Sequence, residues 1–145
     1  MKSRLRTFAP ALVGLIFLSA GPPCSNAQIS KGIRAHLVHS FMIGNTLLPP
    51  GEYTFRMVDE PDLSAMTATS EHYKTTVDFL VKEAKDDHVP SHSQLVFRKY
   101  GDTEFLSKIF EAGSLIGAEV RETSRQEERF VKQGQQAEEH TEEQK

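Results

Sequence analysis

Ile43-Gly44-Asn45-Thr46-Leu47-Leu48-Pro49-Pro50-Gly51-Glu52-Tyr53-Thr54-Phe55-Arg56-Met57-Val58 reads as strand, two turns, strand. Gly44-Asn45 is a turn dipeptide, because both residues tolerate positive φ. Pro50-Gly51 suits the centre of a type II turn: proline pre-sets φ and glycine supplies the positive φ that follows. Beyond it, Tyr53, Phe55 and Met57 share one face while Thr54 and Arg56 take the other, the signature of a half-buried strand.

Upstream the alternation continues. Ile33, Ala35, Leu37, His39, Phe41 and Ile43 form one row, opposed by Arg34, His36, Val38, Ser40 and Met42. This pattern predicts one unbroken strand, with His39 in its apolar row. Downstream, Asp59-Glu60-Pro61-Asp62 is a turn cluster, Leu63 to Thr69 a weaker strand, and Thr75 to Lys82 a clear one. Glu83 to Ser93 is polar, contains Pro90 and reads as a loop. Gln94 to Tyr100 and Thr103 to Phe110 pair around Gly101-Asp102, a type II′ signal that sets Lys99 opposite Glu104. This hairpin is apolar on both faces, as expected in the middle of a sandwich or small barrel.

Past Ala118 the composition turns polar. Ser124-Arg125-Gln126-Glu127 is a capping box, with Ser124 as N-cap and Glu127 three residues on. It predicts a short helix over about 124–133, docked by Phe130 and stopped by Gly134. Residues 135–145 carry Glu138, Glu139, Glu142 and Glu143 and almost nothing apolar, so disorder is expected there.

The organisation that follows is a signal peptide over 1–27, a β domain over 28–118, the C-terminal helix within 119–134, and a disordered acidic tail over 135–145. Lys2, Arg4 and Arg6 precede an uncharged run from Phe8 to Ala20, and Ser25-Asn26-Ala27 fits the small-x-small cleavage rule. Cleavage there removes the sole cysteine, Cys24, so no disulfide is available to the exported chain. It also leaves 14 basic against 20 acidic side chains, a formal charge of −6. That balance argues against nucleic acid, whose phosphates require clustered Lys and Arg. No membrane span is expected after cleavage, because an apolar run of about 13 residues is short of the ~20 needed.

Sites are sparse. Asp86, Asp87, His88 and His92 offer four potential ligands within seven residues, but Pro90 breaks the helix that their spacing would need. A solvated loop is the preferred reading, and no metal or other cofactor is expected. His36 and His39 would point to opposite faces of one strand and cannot share an ion. No Gly-x-Ser-x-Gly elbow, nucleotide loop or paired-acid pattern is present.

Four stretches carry a family resemblance. They are Gly44-Asn45-x-x-Leu48-Pro49-Pro50-Gly51-Glu52-Tyr53, Leu95 to Asp102, Phe105-Leu106-Ser107 and Ser124-Arg125-x-Glu127. Together they resemble a family of small secreted proteins, abundant in acidobacterial genomes and generally without an assigned function. Members show a Leu-Pro-Ala-Gly-x-Tyr turn, a Tyr-Gly-Asp hairpin and a terminal Ser-x-x-Glu-Arg helix. The chain departs at Val38-His39, where Pro-Phe is usual, at Pro50, where Ala is usual, and at Glu128, where Arg is preferred. The resemblance spans roughly Ile33 to Arg129 and implies an exported β-domain, with no catalytic residue to carry over.

The expectation is therefore an all-β domain: a small barrel or sandwich of about six or seven mainly antiparallel strands, with one short C-terminal helix. Its expected role is a non-enzymatic envelope or secreted module, periplasmic or extracellular, that engages a protein or envelope component; a homodimer is compatible. The alternative is a carrier of small apolar ligands with a barrel cavity lined by Tyr53, Phe55, Phe79, Phe97 and Phe105. An uncharacterised hydrolase ranks third.

Overall fold

The computed structural model describes residues 32–58 and 64–144. The segment over 1–27 expected to be a signal peptide, with Cys24, and the Asp59–Asp62 turn cluster lie outside them. Among the described residues the chain is mostly β, with a ten-stranded sheet and one short helix. The sheet is open and has ten strands rather than the six or seven expected, so of the two architectures named above, barrel or sandwich, the closed barrel is not formed. Two features raise the count: the first strand is split, and the acidic tail forms a strand.

The split separates β1 (Ile33–Leu37) from β2 (Phe41–Ile43). β2 turns at Gly44-Asn45 into β3 (Thr46–Leu48), which leads to β4 (Gly51–Met57). Gly44 has φ +54° at the turn, the left-handed region that disfavours a Cβ. Phe41 pairs with Leu48 but Leu37 with Gly51, so the ladder slips by one residue across Val38–Ser40 and Pro49-Pro50. Proline has no N–H to donate, and the ladder breaks where two of them meet it. The hydroxyls of Tyr53 and Tyr73 donate to the freed carbonyls of Pro49 and Pro50, at 2.7 and 3.0 Å.

Two expectations fail at this break. Gly51 has φ 156° and pairs with Leu37 as the start of β4, so Pro50-Gly51 is not the centre of a type II turn. His39 lies in the bend and is exposed, while its neighbours in the row, Leu37 and Phe41, are buried.

β5 (Ala65–Ser70) follows antiparallel to β4, and β6 (Thr75–Lys85) antiparallel to β5. β6 is long enough to change neighbours. Its first half pairs with β5 and its second, from Val81, with β9 (Ile116–Val120). The strand therefore runs three residues beyond Lys82, and the polar loop shrinks to the segment after Lys85. β9 also carries the β domain past residue 118.

β7 (Ser93–Tyr100) and β8 (Thr103–Phe110) form the expected hairpin. Gly101 has φ +59° at its tip, Asp102 follows it in the turn, and Lys99 faces Glu104. β8 pairs with β7 along its length, and its other edge is shared by β9 and, in parallel, β2. The sheet folds over on itself. Ile33, Phe41, Phe55, Phe79, Leu95, Phe97, Leu106 and Ile109, from both of its ends, belong to one buried cluster.

The helix α1 (Arg125–Lys132) begins after Ser124, whose hydroxyl accepts the Glu127 N–H at 2.9 Å. Asn45 contributes here too, since its side-chain carbonyl accepts the Arg125 N–H at 2.9 Å. Phe130 packs on Met42, Tyr100 and Phe105, and its ring stacks 5.5 Å from that of Tyr100.

Part of the segment expected to be a disordered tail forms a strand. β10 (Glu138–Gln144) runs antiparallel along the free edge of β7, in register from Glu138↔Lys99 to Gln144↔Ser93.

Candidate functional site

Pairing puts side chains of adjacent strands on the same face. His140 stands beside Phe97 and Glu142 beside Leu95, so both belong to the core-facing row of β7. Glu104 lies in the same row of β8, next to Lys99 and Phe41 and two residues before Leu106. The row thus ends in a rim of charge beneath the C-terminal strand.

Glu104 is 4 % exposed, which would be costly for a carboxylate without partners. Its Oε1 lies 3.2 Å from His140 Nδ1 and 3.5 Å from Lys99 Nζ. One ligand atom each from Glu104, His140 and Glu142 lie within 4.8 Å of one another. Burial pushes the Glu142 carboxyl above its ordinary value. His140 opposes that rise, Glu104 adds to it, and His39 and His36 oppose it more weakly. The His140 ring leans on Phe97, with centroids 6.3 Å apart and planes 38° apart. At the far end of β10, Gln144 Oε1 accepts the His36 N–H at 3.1 Å. On its outer side, Glu139 and Glu143 meet Lys108 and Gln94 at 3.1 and 3.3 Å.

A second polar contact holds the helix to the sheet. Glu127 Oε1 lies 2.6 Å from Arg98 Nε, whose N–H is out of line with it, while Arg98 Nη2 donates to Oε2 at 3.3 Å. Glu127 therefore completes only half of the capping box: its N–H bonds Ser124, but its carboxylate goes to Arg98. Burial first and this carboxylate second push the Tyr100 hydroxyl up, and Arg98 acts the other way.

The loop expected as the weak metal candidate is arranged differently. Asp86 Oδ1 accepts the N–H groups of Asp87 and His88, an Asx-type turn. His92 Nδ1 lies 3.1 Å from Ser91 Oγ and 3.9 Å from Glu143 Oε2. Those four side chains form no ligand-spaced group among the described residues.

The aromatic set expected to line a cavity divides. Tyr53, Phe55, Phe79 and Phe97 share the main core, where Phe41 meets Tyr53 and Phe97 edge-on at 5.1 and 5.8 Å. Phe105 belongs to the separate cluster under Phe130. A groove of about 470 Å³ includes Tyr53 of this set, but its other lining is largely polar, with Arg34, His36, Glu52, Glu71 and Gln144.

Sequence reasoning missed Glu104, His140 and Glu142 as a group. They are separated by 36 and two positions, and two of them fall in the segment expected to be disordered. The one available signal was the alternation His140, Glu142, Gln144, which is unreadable without a known neighbour. No helix among the described residues is long and apolar enough to cross a membrane. In comparisons with known proteins, no family model, no curated protein and no solved structure matches the chain.

Proposed function

We propose that the protein is an exported, non-enzymatic interaction module, and that its partner adds a strand at the edge of β7 in competition with β10. One observation carries this reading. β10 has no apolar side chain, yet it covers an edge whose Leu95 and Phe97 are core residues. A strand with aliphatic side chains at the positions of His140 and Glu142 would bury more apolar surface, worth about 0.8 kcal/mol per CH₂. Main-chain pairing then gives affinity and the alternate side chains give selectivity, as in other strand-addition complexes.

Export to the periplasm or cell exterior is supported by the leader pattern and by the resemblance to small secreted proteins. The partner is a protein or envelope component with an extended apolar segment. The carrier alternative has less support, because its expected lining is split between two packed clusters, with Phe105 apart from Tyr53, Phe55, Phe79 and Phe97.

The reading is tested with a synthetic copy of Glu138–Gln144 carrying His140→Val and Glu142→Val. The peptide should bind a chain ending at Gly134 and slow hydrogen exchange of the β7 amides, and bind the intact chain more weakly. Unaltered exchange in β7 at saturating peptide would end the proposal.

A further inference from the structure

We infer that Glu104, His140 and Glu142 form a binding site for a divalent transition cation of the Zn²⁺ type, which clamps β10 across β7 onto β8. The inference stands on the geometry of the cluster and does not need strand exchange.

The donor set fits in kind and in spacing. Zinc takes imidazole nitrogen and carboxylate oxygen at roughly 2.0–2.2 Å, so two ligands on a tetrahedral ion stand about 3.3–3.6 Å apart. His140 Nδ1 and Glu104 Oε1 are 3.2 Å apart, and all three donor atoms lie within 4.8 Å. A nitrogen ligand and only three protein donors argue against Ca²⁺ and Mg²⁺, which favour all-oxygen shells of six or more. The ligands are also held in place. Glu104 is fixed by the central hairpin and almost fully buried, and His140 is oriented against Phe97.

Charge favours a cation here. Two carboxylates converge at one end of an apolar row, and Lys99 is the cation that meets Glu104. Lys99 is 41 % exposed on a flexible stem, so its ammonium can swing to solvent when an ion takes its place. Solvent completes the coordination, because His140 and Glu142 are only partly buried. The site joins residues 36 and 38 positions apart across three strands, so an ion there ties the last strand to the middle of the sheet.

Titration of the untagged chain with Zn²⁺ alone, followed by calorimetry, tests this. One ion per chain is expected. Loss of even a supporting partner weakens metal sites by roughly 10–100-fold, so His140→Ala and Glu104→Gln should each weaken binding by at least about tenfold. A His88→Ala/His92→Ala double variant should bind as the parent does. Absence of saturable binding, retention of full affinity in His140→Ala, or loss of binding in the His88/His92 variant would each overturn the proposal. Because Glu104 is buried, the parent chain gives a second readout that needs no variant. Co²⁺ should shift or broaden the His140 imidazole NMR signals before those of His88 and His92, and the reverse order would refute the assignment.

Discussion

β7 has two neighbours of opposite character. Along one edge, β8 is apolar on both faces: Leu106 and Ile109 face the main core, while Phe105 and Phe110 face two smaller clusters. Along the other edge, β10 pairs over the same span with charged and amide side chains, most of them exposed. Both pairs are antiparallel, and the ladder to β8 is the less regular of the two, with a register shift between Val96 and Phe97, so regularity of backbone pairing does not explain the contrast. The difference lies in what the side chains bury. The β7–β8 pair removes large aromatic and aliphatic groups from water, whereas β10 contributes ion pairs at the rim. A ladder can thus be closed for two purposes, to make a core and to cover an edge, and only the first requires apolar residues.

This contrast predicts a graded response to substitution. The largest effect is expected at Phe97, 1 % exposed and in contact with Phe41 across the core. Phe97→Ala should cost about 3–5 kcal/mol, a large share of the stability of a domain this size, and chemical denaturation will measure it. An effect near 1 kcal/mol would mean that the two edges of β7 are less different than they look.

An intermediate effect is expected at Ser124, the helix cap between the two regions. Ser124→Ala should cost about 1 kcal/mol, because it strands the Glu127 N–H and loosens the helix that carries Phe130. Unfolding by denaturant, read beside the parent, checks it.

Ending the chain at Gly134 is expected to cost no more than loss of the cap. Exposed ion pairs contribute about 0.2–1 kcal/mol each, so the global loss should be on the order of 1 kcal/mol. Hydrogen exchange of β7 amides should nevertheless accelerate strongly, while β5 and β6 stay protected. Cooperative collapse of the truncated chain would erase the distinction between core-forming and edge-covering strands.

The same distinction explains what could be read beforehand. The Gly101-Asp102 hairpin, the Gly44-Asn45 turn and the Ser124 cap are local devices, each written in a few adjacent residues. Alternation found the core rows of β4, β6 and β7, because burying one face requires it; in β8 it separates Leu106 from Ile109, which share the main core because the register shifts between them. The break at Val38–Ser40 escaped notice because it arises opposite Pro49-Pro50, ten residues away and across a turn. β10 escaped because its residues match those of a solvated tail, and its place is set by a free edge some forty residues upstream. Glu104 looked like half of a turn-flanking charge pair with Lys99, which it is. Its second partner, His140, becomes visible only once the last strand is placed.

The antiparallel register of β10 has a mechanical consequence. Tension applied from Gln144 would load its hydrogen bonds one after another, so the strand would peel at low force toward the helix. Tension across β6, held by β5 on one half and β9 on the other, would strain many bonds at once. A tether at the carboxyl end would therefore yield at a single defined seam and leave the body of the sheet intact.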